Sequence, residues 1–343
     1  MLVGTIILVI LTLTAVIVPF FSPNGNTAQN LDYSSIPPML EIRKVSDSKY
    51  IYVDIKLKAY EVTYDGHLLG KLEVIESSMA EKKIVYELNG KMIVIDYSAS
   101  PYTVKYNGED IAVYKKVWNK TYLFGSDQLG RDVLIRVVYG MRISLLIALV
   151  ASIVNLTVGF IYGGILVYVG GMADNVMMRI VDVLRGVPRL LYVIMIIVII
   201  GPGLKTVMLT IGLVYWLSMA RFVRGQVLSA KNNEYIIAAK TMGAGTMWIV
   251  FKHLIPNTLG AVIVLATLNV PGAIFTEAFL SFIGLGVSTP VASLGTQCND
   301  ALHGFQVYPY QLLFPAAAIC LIVLAFSLIG DGLRDSIDPK IKL

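Results

Sequence analysis

The chain has 343 residues, of which 56% are hydrophobic and only 15% are charged. A water-soluble protein of this length could not bury that much apolar surface, so the composition excludes a soluble enzyme and predicts an integral membrane protein. The net charge of +5 is modest and gives no reason to expect nucleic acid as a partner.

Six segments are apolar enough and long enough to cross a bilayer as helices, which takes about 20 residues. They are residues 2–21, 143–168, 176–200, 204–224, 257–280 and 310–330. The third is the least apolar, because its first half carries Arg179, Asp182, Arg185 and Arg189. The first run is too long for the apolar region of a signal peptide and follows no basic stretch, so we predict an uncleaved first helix over residues 1–22.

The distribution of basic residues predicts the orientation of these helices, since lysine and arginine accumulate in cytoplasmic loops. The segment between the fourth and fifth spans contains one acidic residue, Glu234. Its basic residues are Arg221, Arg224, Lys231, Lys240 and Lys252. The loop 281–309 has neither lysine nor arginine. We therefore expect 221–256 and both termini in the cytoplasm and residues 22–142 outside. Three basic residues oppose this assignment, namely Arg131, Arg136 and Arg142.

Residues 23–121 are expected to form an extracytoplasmic linker and a β-rich insertion. The stretch YIYVDIKLK, residues 50–58, alternates apolar and polar side chains, which predicts a half-buried strand. Similar runs follow at 67–76, 82–88, 91–97, 102–106 and 110–117. Asn89-Gly90 and Asn107-Gly108 are typical of two-residue hairpin turns. We predict a small antiparallel β domain.

The most informative stretch lies between the fourth and fifth spans, residues 234–260, EYIIAAKTMGAGTMWIVFKHLIPNTLG. Helix-forming residues begin at Glu234 and are interrupted at 243–245, since glycine admits a positive φ. Residues 246–253 predict a second short helix, and Pro256 suits the first turn of the next span. Two helices joined by small residues would let a soluble partner approach closely. The alternative is an ordinary amphipathic helix at the membrane interface.

Four blocks of this chain resemble one family. Ala238, Ala239, Gly243 and Pro256 are spaced as in the EAA loop of ABC importer permeases. The other blocks are AVIVPFFSPNG, YLFGSDQLGRDVLIRVVYGMRISLL and LAFSLIGDGLRDSIDP, and the EAA block continues into ATLNVPGAIFTEAFLSFIGLGV. Together they are similar to the C-type permease subunit of oligopeptide and dipeptide importers. The resemblance covers about residues 1–38 and 122–343, so the β-rich stretch is an insertion.

The resemblance implies an all-α polytopic membrane protein with six transmembrane helices, a type I ABC importer permease, into which an extracytoplasmic antiparallel β domain is inserted. The permease core would be residues 122–343, with a cytoplasmic coupling loop at 225–256. Implied partners are a second permease in a heterodimer, two cytoplasmic ATPases, an extracytoplasmic substrate-binding protein and the lipid bilayer of the cell membrane. ATP would be bound by the ATPases, so no cofactor is expected in this chain. The cargo stays open among oligopeptides, dipeptides, sugars and metals.

The resemblance also implies site residues. Contact with the ATPases is expected for Glu234, Tyr235, Ala238, Ala239, Lys240, Gly243, Ala244, His253 and Pro256. The family's EAA glutamate falls at Ile237, so that carboxylate is missing here. Candidates for the pathway or its gate are Asp127, Arg131 and Asp132, which match the family, and Glu277, which is proposed as an ionisable residue within a predicted span.

Charged side chains inside the predicted spans have two interpretations each. An ionisable residue in a membrane span is a functional candidate, so Glu277 is interpreted as a gate or pathway residue. The alternative is an interfacial carboxylate that pairs with Arg131 or Arg142. Asp182, Arg185 and Arg189 share a helix face by their spacing, where we expect them to pair with one another or to face the second permease.

Other kinds of function receive less support. Gly203 and the residues after it lack the spacing of a phosphate-binding loop, so the chain is not expected to hydrolyse ATP. The histidines, His67, His253 and His303, lie in separate regions and predict no metal site. An ATP-independent secondary transporter is the main alternative, but the sequence has no paired midspan acids. A membrane-anchored sensor would need only one or two spans.

Overall fold

The computed structural model describes residues 1–21, 25, 27–46, 48–165, 170–287 and 291–337. The chain divides into two compact units. The helical unit contains Met1–Phe21, Val137–Asp300 and Pro315–Leu343, and the strand-rich unit contains Ser22–Arg136 and Ala301–Phe314. The family-like Asp338 and Pro339, and the predicted end of the first helix at Ser22, lie outside the described residues.

The helices follow the apolar runs of the sequence. They are α1 (Leu2–Phe21), α2 (Val133–Phe160), α3 (Gly171–Gly186), α4 (Arg189–Ile200), α5 (Leu204–Lys231), α6 (Glu234–Thr241), α7 (Thr246–Ile249), α8 (Ile255–Phe282), α9 (Leu294–Leu302) and α10 (Tyr310–Ile337). A π-helical stretch, Val250–Leu254, joins α7 to α8. In the described residues, the continuous stretches with the length and hydropathy of a membrane span are Leu2–Phe20, Val133–Gly164, Leu204–Lys231, Thr246–Phe282 and Tyr310–Ser336.

The third predicted span, 176–200, is not one straight helix. It is bent by 86° between α3 and α4. Pro188 causes the break, because proline has no N–H and disfavours a helical conformation at the residue before it; Val187 is extended, at φ −90° and ψ 137°. With its 12 residues α4 is about 18 Å long, well short of a roughly 30 Å hydrocarbon core. Only α3 and α4 together have the length of a span.

Several hydrophobic clusters lie among the described residues of the helical unit, and two of them are large. The first, which we call the coupling core, joins α5 to the segment after it through Met219, Val223, Val227, Ile236, Ala239, Ile249, Val250, Leu254, Val262 and Ala266. The second joins α2, α4, α5 and α8, and includes Ile147, Ala151, Val193, Ile197, Ile211, Tyr215 and Ala273. A π-helical stretch, Ile161–Ile165, continues α2. Glycine permits its close approach to α5, since a Cβ on Gly163 would lie 2.2 Å from the Ala220 carbonyl oxygen.

Arg142 of α2 donates hydrogen bonds to backbone carbonyls of α1 where Pro19 interrupts the helical hydrogen bonding. Pro19 lies inside α1 and has no N–H, so the carbonyl of Ala15 loses its helical partner. The Arg142 Nε donates to that carbonyl, and Nη2 donates to the Val16 carbonyl at 2.9 Å. The guanidinium also lies 5.0 Å from the centroid of the Tyr139 ring. A charge held this way stabilises a helix and is not a free loop charge of the kind that orients a membrane protein.

The strand-rich unit is antiparallel, as predicted. Its strands are β1 (Met39–Ser46), β2 (Lys49–Val53), β3 (Ala59–Val62), β4 (Leu68–Lys71), β5 (Val74–Ser78), β6 (Lys83–Leu88), β7 (Lys91–Asp96), β8 (Thr103–Tyr106), β9 (Glu109–Asp110) and β10 (Lys115–Trp118). They form two sheets of five strands, in the orders β10-β1-β2-β3-β4 and β5-β6-β7-β8-β9. The Asn89-Gly90 and Asn107-Gly108 turns are confirmed, with positive φ at all four residues.

Three strand predictions were wrong in detail. The runs 67–76 and 110–117 are each cut in two, because the chain passes there from one sheet to the other. The strand predicted over 50–58 ends at Val53 and is not half-buried. Tyr50 and Tyr52 enter one core while Ile51 and Val53 enter another, so both faces of β2 are covered. The pattern misled because a tyrosine ring is buried as readily as an aliphatic side chain when it has a place to pack.

Candidate functional site

The segment after α5 makes a tight elbow at Gly243. The Ala244 N–H donates to the Ala239 carbonyl at 3.0 Å, and the Gly243 N–H donates to the Lys240 carbonyl at 2.9 Å. This pair of bonds is a Schellman motif, which requires a left-handed residue after the helix. Gly243 has φ +86°, a conformation that costs other residues energy. The predicted interruption of the helix is therefore a capped helix C-terminus at Gly243.

The inner side of the elbow is fixed to the coupling core. Ile236 of α6 is fully buried, and Ala239 and Ile249 are nearly so. Ala244 packs against the same cluster. Of the two predicted alanines, only Ala239 faces the core, whereas Ala238 is exposed. The elbow is thus attached through apolar packing to α5 and α8.

Polar and aromatic side chains bind the two arms of the elbow together. The Tyr235 hydroxyl accepts a hydrogen bond from Asn257 Nδ2 at 3.4 Å, and its ring centroid lies 5.9 Å from that of His253. His253 in turn makes an edge-on contact with Trp248 at 5.0 Å. The side chains of Tyr235 and His253 are therefore in contact, and they connect the two helical arms of the elbow. Pro256 lies in the first turn of α8.

The outer side of the elbow is apolar and exposed. Exposed fractions are 81% for Met242, 60% for Phe251 and between 52% and 54% for Ile237, Met247 and Trp248. Glu234 and Lys240 are also exposed. These apolar residues could not be recognised as site residues from the sequence, because apolar residues between two spans look like parts of a span. Thr246–Phe282 has 37 residues, or about 55 Å of helix, so it is longer than a roughly 30 Å hydrocarbon core.

Glu277 of α8 is fully buried among serine hydroxyls. Ser144 Oγ of α2 donates to Oε2 at 2.8 Å, and Ser281 Oγ donates to Oε1 at 2.8 Å. Ser293 is a third hydrogen-bond partner. The alternative in which Arg142 pairs with this carboxylate does not hold, because that guanidinium is bound to α1. Glu277 links α2, α8 and the start of α9.

Replacing Glu277 by Leu is expected to destabilise the protein by about 1–3 kcal/mol, because buried serine hydroxyls lose their acceptor. Glu277→Gln keeps an acceptor oxygen and should lose clearly less. Thermal unfolding of the detergent-purified protein measures the difference, with the exposed Glu234→Gln as a control expected to unfold like the unchanged chain. An equally stable Glu277→Leu variant would show that the carboxylate does not hold these helices.

Asp127 is the centre of a turn in the strand-rich unit. Its Oδ1 accepts the backbone N–H groups of Leu129 and Arg131, each at 2.9 Å. Its Oδ2 accepts from Arg131 Nε at 2.6 Å and from Arg136 Nη1 at 2.7 Å. Asp127 and Arg136 are both buried. Asp127 and Arg131, two of the pathway candidates, are therefore engaged with each other in shaping this turn.

Asp132 caps the start of α2. Its Oδ1 accepts the N–H groups of Leu134 at 2.9 Å and Ile135 at 3.3 Å. Burial raises the pKa of this carboxyl to about 6, although the two backbone hydrogen bonds oppose the shift. The folded state therefore holds the Asp132 proton more tightly than the unfolded chain does.

This shift predicts a pH dependence of stability. The stabilising contribution of protonated Asp132 is fully present below about pH 4 and is lost as the pH rises through about 6. Asp132→Asn keeps a capping oxygen but cannot titrate, so we expect its unfolding temperature to fall less than that of the unchanged chain between these pH values. Parallel slopes for the two proteins would assign the titration to another group.

Among the described residues, no group of three or more histidine, cysteine, aspartate or glutamate side chains is placed to hold a metal ion. The elbow is held by packing and hydrogen-bonding contacts.

Residues 133–343 match the family of binding-protein-dependent transport system inner membrane components. The oligopeptide transport system permease protein OppC of Bacillus subtilis (strain 168) is 48% identical over 224 residues, which cover 65% of this chain and 73% of that protein. The dipeptide transport system permease protein DppC of the same strain is 50% identical over 220 residues, 64% of this chain and 69% of its own. Among solved structures, an inward-facing MetNI methionine ABC transporter covers 58% of this chain and 96% of its own at 24% identity, with a TM-score of 0.45.

Proposed function

The chain belongs to the family of binding-protein-dependent transport system inner membrane components, and from this premise we propose that it forms half of the translocation pathway of a peptide importer. It is a permease subunit of an ABC importer and not an enzyme; ATP hydrolysis belongs to partner ATPases. The names of its relatives, which are oligopeptide and dipeptide permeases, support peptides as the cargo.

The proposed topology has six spans, with α3 and α4 together as the third. Both termini and the elbow would then be cytoplasmic, and the strand-rich unit would be extracytoplasmic. The three basic residues that oppose this orientation are all engaged: Arg131 and Arg136 bind Asp127, and Arg142 binds the carbonyls of α1. The basic residues around the elbow support a cytoplasmic position for it.

The elbow at Gly243 carries the proposal. Its apolar outer side, with Met242 and Trp248, is suited to a soluble partner, while Ile236 and Ala239 fix its inner side to the coupling core. A partner with two conformations would bias the helix bundle between two states through this attachment. We propose that two cytoplasmic ATPases are the partners, acting on this chain and on a second permease, with Tyr235 and His253 keeping the elbow rigid.

The strand-rich unit is proposed to help dock the extracytoplasmic substrate-binding protein. The structure suggests how to remove it, because the Asn119 N–H donates to the Pro38 carbonyl at 2.8 Å. A short Gly-Ser linker can therefore replace residues 39–118. We expect this deletion to weaken binding-protein-dependent uptake, and undiminished uptake would count against the docking role.

ATP-driven uptake by a reconstituted complex tests the proposed function. The chain, its co-purifying permease and ATPases are placed in proteoliposomes, with the binding protein outside and ATP inside. We expect accumulation of a radiolabelled oligopeptide that requires both ATP and the binding protein. Accumulation driven by an ion gradient without ATP would instead support a secondary transporter.

A further inference from the structure

We infer that Arg185 and Arg189, at the break between α3 and α4, bind the terminal carboxylate of the transported peptide. This inference rests on the proposed function, since it assigns a substrate contact within the same pathway. Both arginines are exposed and lie on either side of Gly186, Val187 and Pro188.

Arg189 contacts α5 near the middle of that helix. Its guanidinium is 4.5 Å from the centroid of the Tyr215 ring. Tyr215 lies 11 residues after the first residue of α5, Leu204, or about 17 Å along that helix, which is near the middle of a roughly 30 Å hydrocarbon core. The Tyr215 hydroxyl is hydrogen-bonded to Thr276 of α8 at 2.8 Å, so two spans fix the ring.

The acidic side chains of α3 form ion pairs with arginines of α5. Asp174 makes a bidentate pair with Arg224, through two contacts of 2.9 Å, and Asp182 pairs with Arg221. The expectation that Asp182 pairs with Arg185 or Arg189 was therefore wrong, because α5 supplies its partner. Among the described residues, neither Arg185 nor Arg189 forms an ion pair with a carboxylate.

Unpaired charge at this depth needs a polar counterpart. Ionisable side chains in membrane spans face a cavity or the bundle interior and mark the routes of polar solutes. Non-helical backbone at membrane depth likewise lines a cavity or is buried in protein. The bend at Val187 and Pro188 supplies such backbone beside both arginines, so the two features indicate one polar surface.

A carboxylate is the counterpart that fits. A guanidinium presents two parallel N–H donors that match the two oxygens of a carboxylate. Every free peptide carries one terminal carboxylate whatever its side chains, so this contact would suit many peptides equally.

Uptake of matched peptides tests the inference. Proteoliposomes with Arg185→Gln, Arg189→Gln or the unchanged chain are given tetra-alanine with a free carboxylate or with a terminal amide. The control is Arg179→Gln, an exposed arginine of α3 away from the break. Because a charged hydrogen bond is lost, we expect uptake of the free peptide to fall roughly tenfold or more in the first two variants, with the amide little affected.

Equal loss for both peptides would overturn the inference and point to an ion pair with the second permease. Unchanged uptake would overturn it too. A tetra-alanine bearing a photoreactive group near its free carboxylate gives a measurement independent of the binding protein, since it is added to the purified complex. Cross-links within residues 185–189 that Arg189→Gln removes and Arg179→Gln keeps support the inference; cross-links only elsewhere oppose it. If the unchanged complex imports no peptide with ATP, the proposed function fails instead.

Discussion

Gly243→Asp is expected to abolish ATP-driven uptake while leaving the chain inserted and folded in the membrane. The substitution puts a β-carbon at φ +86°, where a side chain costs about 1–2 kcal/mol, and it adds a charge to the apolar outer side of the elbow. The residue itself is in open space, with no atom near an added β-carbon, so the bundle need not adjust. We expect less than about a tenth of normal uptake, since coupling through this elbow is the proposed step.

A matched control is available two residues away. Gly245 is also in open space, but it has φ −68° and ψ 152°, which any residue adopts. Gly245→Asp therefore adds the same charge without backbone strain. Gly243→Ala adds the strain without the charge. If Gly243→Asp transports normally, or if Gly245→Asp is equally inactive while Gly243→Ala is normal, the left-handed elbow is not what couples the subunits.

The position of the elbow could be predicted from the sequence, but its two sides could not. The glycine at position 243 is present in the sequence, and a glycine that follows a helix predicts a residue with positive φ. Whether Ala238 or Ala239 faces the core depends on the rotation of α6, which packing against α5 and α8 decides. The exposed apolar residues were missed for a related reason: hydropathy alone does not separate a side chain facing a partner from one facing lipid.

Long-range pairings show the same limit. The break at Pro188 follows from a single residue, and the Asn-Gly turns follow from two. The pairs Asp182–Arg221 and Asp174–Arg224 join different helices, so the spacing within α3 carried no information about them. The split into two sheets is also a long-range property, because β4 and β5 are nearly continuous in sequence yet pair with different strands.

Arg142→Leu is expected to be among the most destabilising single changes in the helical unit. It removes both donors from the Ala15 and Val16 carbonyls, and the Ala15 carbonyl has no helical partner because Pro19 follows four residues later. An unpaired carbonyl within a bilayer costs several kcal/mol. We expect a loss of about 2–5 kcal/mol, measured as thermal unfolding of the purified complex in bicelles, with Arg179→Leu as the control for loss of an exposed arginine.

Pro19→Ala should rescue this variant, which a merely local defect in α2 would not permit. The alanine restores an N–H that can donate to the Ala15 carbonyl within α1, so the carbonyl no longer depends on Arg142. In a double-mutant cycle, we expect Arg142→Leu to cost at least about 1 kcal/mol less in the Pro19→Ala background than in the unchanged chain. Equal costs in both backgrounds would mean that the arginine stabilises α2 or its own surroundings, and that α1 is held by other contacts, such as the packing of Gly4 against Ala325 and Leu328 of α10.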